Sequence, residues 1–541
     1  MTYRYAIDSL VVRNGRCFGW GWFIDDLLPA RSCELRVPLV SGDEQMIACI
    51  PGGMREDLRE AFPAVRHAAA AGFLIQGRLS PDLAYDRAAV LVATLVDGSQ
   101  RRCEVPASLL SADVGEPGAG IGGVLASWQR TLTTVPASVR ARGWKATARA
   151  AVSRGREQLQ RVERQWRLRR LGSASGRSAL VLDHAMGGGA NHYRTGLVAR
   201  LSSTADHVVV ISPLLHLLQY EVEYHSNGRV DRWAVDSLAP VLAALETAPQ
   251  LDIHVNELVS FEDPLALMVW CRARRQQQRG ELVMYVHDYH AVCPAWTLIG
   301  TDGAFCDIPS PDVCRQCLPR NFANTLGFSQ DIPVDRWRSA WGEFLGACDR
   351  VIAFSRASVA ILHRAHPQLP LSRISVEPHQ VDTSALRKVS ATSGPPLVIA
   401  VAGHVSAAKG ALMLGEMARL MRMNELPMRI VVFGTLEHHD PSDGIEVLGA
   451  YSRSDLPALL EQEQVGICFL PSVCAETFSF VTAEYMAMDM PVAVFPVGAP
   501  AERVGSYHKG LVISRIDAEA AVAEIAAFAA RIWPDAYSAQ T

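Results

Sequence analysis

Along the first 110 residues, apolar and polar positions alternate in short runs: Ala6–Val12, Cys17–Phe23, Glu34–Val40, Met46–Ile50, Gly72–Leu79 and Ala89–Val96. A period of two marks strands with one buried face. The pairs Asn14-Gly15, Ser41-Gly42 and Asp97-Gly98 punctuate the runs as turn and hairpin signals. Residues 1–110 are therefore expected to form a β-sandwich domain. Within it, Trp20 and Trp22 share one face of a strand. Exposed, they would make a sugar-stacking platform; burial in the core is the expected outcome for large aromatics.

The pattern then changes twice. A Gly/Pro-rich stretch, Gly115–Gly123, opens a connector over 111–176. In it Leu159, Val162 and Trp166 recur at helical spacing with arginines between them. That is a basic amphipathic helix, which either lies on an anionic membrane surface or packs its apolar residues onto a neighbouring domain. From Ala179 onward, short apolar runs alternate with helical stretches: Ala179–Leu182, His207–Ile211, Ile253–Val255, Leu282–Val286, Val351–Phe354 and Ile374–Val376. After Ser393-Gly394-Pro395-Pro396 a second series follows: Leu397–Ala402, Met428–Phe433, Ile445–Leu448, Gly466–Leu470 and Pro491–Phe495. Such alternation predicts parallel sheets with crossover helices. The fold class is α/β, with two facing Rossmann-like domains over 177–394 and 395–541. Ligands are expected in the crevices outside the carboxyl ends of their strands.

Composition narrows the class. At 541 residues, with 49% hydrophobic and 20% charged, the chain is neither disordered nor fibrous. The net charge of −4 is uneven: Trp128–Leu171 carries twelve Lys and Arg against two Glu. That segment is +10 and the rest −14, so the body of the molecule is no partner for nucleic acid. No apolar run reaches the length of a membrane span, and the N-terminus lacks the pattern of a signal peptide. Twelve cysteines, mostly single and in apolar stretches, fit a reducing cytoplasm.

Several stretches carry candidate chemistry. Met186-Gly187-Gly188-Gly189-Ala190-Asn191 follows the first α/β strand and precedes a helical run. Its glycines permit close approach of a polar ligand, although a tight turn alone also explains them. It is not Gly-x-Gly-x-x-Gly, which argues against a dinucleotide oxidoreductase. Tyr285-Val286-His287-Asp288-Tyr289-His290 ends another strand, where His287 would project toward the cleft to bond a hydroxyl or move a proton. Its rival is a histidine that satisfies loop backbone. Gly403-His404-Val405-Ser406-Ala407-Ala408-Lys409-Gly410 opens the second α/β block, and Lys409 could neutralise a diphosphate. In Pro471–Glu484, Glu476 and Glu484 are eight apart, facing one cleft from different depths. The N–H groups of Thr477 and Phe478 are expected at a helix start, where they can hold phosphate. Cys293, Cys306, Cys314 and Cys317 punctuate an irregular loop over 293–317. A closed structural zinc site would stabilise such a loop; a disulfide pair or unlinked thiols are the alternatives.

Taken together, Pro471–Arg503, with Glu476-x7-Glu484, Asp489-Met490-Pro491-Val492 and Gly498–Arg503, resembles the retaining glycosyltransferases of family 4. These have the B-type fold of two Rossmann-like domains. The loops Gly403–Gly410 and Gly187–Asn191 occupy matching places, and the resemblance covers roughly 178–530. His254–Leu258 and His287-Asp288-Tyr289 running into Cys293-Pro294 are similar to a subgroup among bacterial surface-polysaccharide enzymes.

The resemblance implies roles. Glu476 would contact the donor sugar near its reacting carbon, and Glu484 the nucleotide ribose. Lys409 would bind the diphosphate, and His287 would sit near the donor sugar. Gly403, His404, Thr477 and Phe478 would line the donor side, and Gly188, Gly189, Asn191 and Asn256 the acceptor side. No cofactor is required for catalysis. One departure stands out: many members carry an Arg shortly before the lysine, where this chain has His404 and Ser406, with Arg356 as a candidate second cation. The expected function is retaining transfer of a sugar from a nucleotide-sugar donor to a polysaccharide or lipid-linked glycan, at the inner face of a bacterial cell membrane. The alternative is a catalytically inactive carbohydrate-binding or scaffold protein of a polysaccharide assembly complex.

Overall fold

A computed structural model describes residues 3–51, 55–65, 67–68, 71–110, 163, 165–172, 175–184, 188–277, 280–321, 332–437 and 443–537. Seven antiparallel strands come first: β1 (Tyr3–Arg13), β2 (Arg16–Asp25), β3 (Ala30–Pro38), β4 (Glu44–Pro51), β5 (Gly72–Arg78), β6 (Ala89–Leu95) and β7 (Gln100–Val105). They form one sheet in the order β1-β2-β5-β4-β3-β6-β7. The all-β expectation holds, but a single sheet replaces the two of a sandwich. The sheet curls until its edges approach: the Tyr3 and Tyr5 hydroxyls of β1 donate to the Arg102 and Glu104 carbonyls of β7 at 3.2 and 2.7 Å. The core lies inside the curl, with Cys17, Phe23, Leu35, Ile75, Leu91 and Val105 buried.

The alternation along β2 settles the two tryptophans. Cys17 and Phe23 face this core, so Phe18, Trp20, Trp22 and Ile24 point to the outer face. Phe18 is covered by Leu218, and Ile24 and Trp22 by Leu58, Val65 and Phe62. Trp20 lies between these two covers and stays 36% exposed, so the expectation of core burial fails for it.

The first α/β domain holds β8 (Arg177–Leu182), β9 (His207–Leu214), β10 (Gln219–Ser226), β11 (Arg229–Val235), β12 (Gln250–Val255), β13 (Leu282–Val286), β14 (Arg350–Ala353) and β15 (Ile374–Val376). Their order is β11-β10-β9-β8-β12-β13-β14-β15. All pairs are parallel except β9–β10 and β10–β11, a meander that the helix–strand alternation did not predict. In the second α/β domain, β16 (Leu397–Val405), β17 (Met428–Leu436), β18 (Ile445–Gly449), β19 (Ile467–Leu470), β20 (Val492–Val494) and β21 (Gly510–Val512) form a parallel sheet. Its order, β18-β17-β16-β19-β20-β21, is doubly wound. Chain order reverses between β8 and β12 and between β16 and β19, which opens a crevice at those strand ends.

Most of the basic connector, including Leu159 and Val162, lies outside the described residues. Its end, 165–172, is helical. Leu171 is buried and Leu168 packs beside it in the core of the α/β domains. Arg170 pairs with Asp231 and lies over the Tyr224 ring, and Arg167 lies over Trp233, so the arginines lean on the meander. Trp166 remains 58% exposed. Among the described residues no helix is long and apolar enough to cross a membrane.

Candidate active site

In the second α/β domain, two loops are pressed together at the switch point. The loop after β16 ends at Gly410, whose φ of +89° starts the helix Ala411–Met423. A Cβ there would stand 2.1 Å from the Pro471 carbonyl oxygen, so only glycine lets the two loops meet. The Ala408 carbonyl accepts from the N–H groups of Val473 and Cys474 at 3.1 and 3.2 Å. This pairing brings Lys409, exposed to solvent, to Glu476, whose charge raises the lysine pKa. Glu476 accepts a hydrogen bond from the Ser472 hydroxyl. Its carbonyl accepts from the Ala499 N–H at 2.8 Å, and a Cβ at Gly498 would collide with its main chain at 2.7 Å.

Glu484 lies one helix deeper, on Phe480–Ala487, and is 7% exposed. Burial raises its pKa while Arg453, paired at 2.6 Å, lowers it. Arg453 comes from the turn after β18 and no spacing in the sequence pointed to it. At the end of β16, Gly403 sits beside Val481. His404 Nδ1 meets the Thr435 hydroxyl at 2.7 Å, and its Nε2 lies 3.3 Å from Glu437.

The first-domain wall is tied side chain to side chain. Asp183, fully buried just past β8, accepts from Asn191 Nδ2 at 2.7 Å and from Asn256 Nδ2 at 3.0 Å. Asn256 in turn meets His287 Nε2 at 2.9 Å. Burial, then His379 and His184, push the His287 pKa well down, so its imidazole is neutral. The structure thus joins Asn191, Asn256 and His287 through Asp183, which sequence reasoning missed. Next to them, Glu257 and Asp288 are buried together; burial raises both carboxyls, and the charge of Asp288 adds to the shift of Glu257.

The two walls touch. The Thr477 hydroxyl donates to the His287 carbonyl at 2.8 Å. Phe478 is buried among first-domain residues such as Val181, Tyr285 and Phe354. The helix begins at Phe480, capped by Ser479, so Thr477 and Phe478 lie in the loop before it and do not form the helix start expected of them. Gly188 begins the helix Gly188–Leu201, and a Cβ on Gly189 would sit 3.0 Å from the Phe480 ring. The expected acceptor-side glycines therefore abut the second domain; Met186 and Gly187 lie outside the described residues. His379, also unforeseen, stacks on Phe354 at 3.9 Å and lies 5.5 Å from the His287 ring and 4.8 Å from the Phe478 ring. Burial lowers its pKa to about 4. Arg503 lies over the Phe478 ring and donates to the Ser479 carbonyl. Glu502 caps the helix Arg356–Ala365 across the gap, accepting from the Arg356 and Ala357 N–H groups at 3.3 and 2.7 Å.

The cysteine loop shows no assembled metal site among the described residues. A tetrahedral site needs four thiolates converging on one point at about 2.3 Å. Cys293, Cys306, Cys314 and Cys317 share one region, but among the described residues no three His, Cys, Asp or Glu side chains form a metal-holding group. The sulfurs point to other partners: Cys314 to the Pro309 carbonyl and Arg338, Cys317 to Asn321. Burial pushes the Cys293 thiol up to about 12, which keeps it protonated. Trp337, buried and bonded to the His290 carbonyl at 2.7 Å, lies in the same core as Cys293 and Cys314.

Residues 382–530 match the model of the family described as Glycosyl transferases group 1, a span that takes in every strand of the second α/β domain. No curated protein matches the chain. Among solved structures, sucrose-phosphate synthase from Thermosynechococcus elongatus is 16% identical, with 66% of this chain and 90% of that one covered and a TM-score of 0.42. HepE of Anabaena, in complex with UDP and glucose, is 15% identical over 64% and 89%, with a TM-score of 0.38. A glycosyltransferase from Rickettsia africae is 13% identical over 66% and 89%, with a TM-score of 0.37.

Proposed function

We propose that the protein is a retaining glycosyltransferase that moves a sugar from a nucleotide-sugar donor to a polysaccharide or lipid-linked glycan in bacterial surface-polysaccharide synthesis. The observation that carries this is the juxtaposition of Lys409 and Glu476 at the switch point, next to Thr477, whose hydroxyl bonds the His287 carbonyl of the first domain. Lys409 meets the diphosphate as negative charge grows on the leaving group. Glu476 accepts hydroxyls of the donor sugar, and His287 accepts another. Glu484, held by Arg453, takes the ribose. The glycan acceptor enters on the side of Asn191 and Asn256. The proposed mechanism asks nothing of a metal.

The basic connector supports a reading of where the enzyme works. Arg169 and Trp166 are exposed near its end, the kind of pairing that binds anionic lipid surfaces. We place the enzyme in the cytoplasm, at the inner face of the membrane. Flotation with anionic vesicles should fall when 124–171 is deleted and weaken with salt; equal flotation would remove this placement. For the activity, purified protein is incubated with a panel of nucleotide sugars and release of nucleoside diphosphate is followed. Release with one donor is expected. A folded protein that releases nothing and gains no thermal stability with any donor would leave the scaffold reading in its place.

A further inference from the structure

The chain of amides in the first-domain wall dictates a proton position. Asn256 Nδ2 donates to Asp183 Oδ1 at 3.0 Å and to the Ala190 carbonyl at 3.2 Å. Both partners are acceptors only, so the amide nitrogen faces them and Oδ1 faces away. That oxygen meets His287 Nε2 at 2.9 Å, and an oxygen acceptor there requires Nε2 to carry the hydrogen. Asn191 repeats the pattern on the other carboxylate oxygen: its Nδ2 donates to Asp183 Oδ2 at 2.7 Å and to the His184 carbonyl at 2.6 Å. Burial raises the Asp183 pKa, while His184, the Asn256 bond and Arg194, 3.4 Å away, pull it back down. A carboxyl group is held here at full burial, at the end of β8 and next to the domain junction.

We infer that Asp183 is a positioning residue: through Asn256 it fixes His287 as the Nε2–H tautomer, leaving Nδ1 as a hydrogen-bond acceptor for a sugar hydroxyl. This rests on the proposed function for the identity of the hydroxyl, but not for the tautomer. A neutral imidazole in the other tautomer would carry a donor at Nδ1 and turn away a hydroxyl that donates. Asp183→Asn is nearly isosteric. It keeps one acceptor oxygen and replaces the other with an N–H₂ donor, so position 183 can no longer accept from both Asn191 and Asn256.

The test is ring-nitrogen NMR of the full chain labelled with 15N-histidine, with His287→Gln to assign the signal. The wild type should show His287 as Nε2–H. In Asp183→Asn, and separately in Asn256→Ser, an Nδ1–H population should appear while the other histidines keep their shifts and the melting temperature confirms folding. If Asp183→Asn fails to fold, Asn256→Ser carries the test. An Nδ1–H signal in the wild type, or an unchanged Nε2–H signal in the folded variants, overturns the inference. With an active donor in hand, Asp183→Asn should lower kcat about tenfold or more with donor KM changed less than about twofold; a change in KM alone also overturns it. Failure to find any donor leaves the NMR result standing by itself and counts only against the proposed function.

Discussion

The two walls of the cleft are built by different means. In the second α/β domain, main chain presses on main chain: the loop at Gly410 meets Pro471, and the turn at Gly498 meets Glu476. Backbone contacts hold the loops that carry Lys409 and Glu476. In the first domain, Asp183, Asn191, Asn256 and His287 hold one another. One wall offers charge, and the other offers a preset pattern of neutral donors and acceptors. Added bulk should break the first wall, while the second should be altered without breaking.

The largest effect is expected where the walls differ most. Gly410→Ala adds a Cβ 2.1 Å from a carbonyl oxygen at a φ of +89° and should cost ~3 kcal/mol of stability in denaturant unfolding. A cost no larger than that of an exposed loop Gly→Ala would show that the loops are not pinned there. Lys409→Ala should do the reverse: stability changes little, while kcat/KM falls by about 10²–10³, as for loss of one charge-stabilising group. A loss of stability without loss of rate would make Lys409 a structural ion-pair partner only.

Acid should loosen the junction. Burial lowers His254 and His379 to about 4, below the unfolded value near 6.5. Their contribution is complete above pH ~6.5 and is lost as pH falls toward ~4, because the unfolded chain then binds protons that the folded one refuses. The melting temperature should drop through that window, less steeply in His379→Phe; identical slopes would remove His379 from the account. The smallest effect belongs to Glu502→Gln, which weakens the cap on the helix Arg356–Ala365 and should cost about 0.5–1 kcal/mol, seen as a slightly lower melting temperature.

Much of the fold was legible because burial leaves a period in the chain. Each apolar run from Ala179 to Pro491 falls on or overlaps a strand of the two α/β sheets. The meander of β10 and β11 was equally written, in the alternation Tyr220, Val222, Tyr224 and in the turn Asn227-Gly228, yet it breaks the helix–strand rhythm expected around it. Single-sheet curling left no local trace, since a strand's period does not say which strand lies opposite. Lys409, Glu476 and Glu484 were singled out as candidates from their loops. Asp183, Arg453 and His379 were not, because partners across 73, 31 and 92 positions (to Asn256, Glu484 and His287) share no spacing rule. The four cysteines show the opposite case, a suggestive spacing where no three metal-ligating side chains converge among the described residues.

The central claim is that this cleft transfers a sugar with retention. It is tested most directly by proton NMR of the product formed from an α-linked nucleotide sugar, read at the first turnover, with Glu476→Ala run beside the wild type. The account predicts an α-linked product whose formation is lost in Glu476→Ala. A β-linked product, or equal formation by the variant, would contradict it.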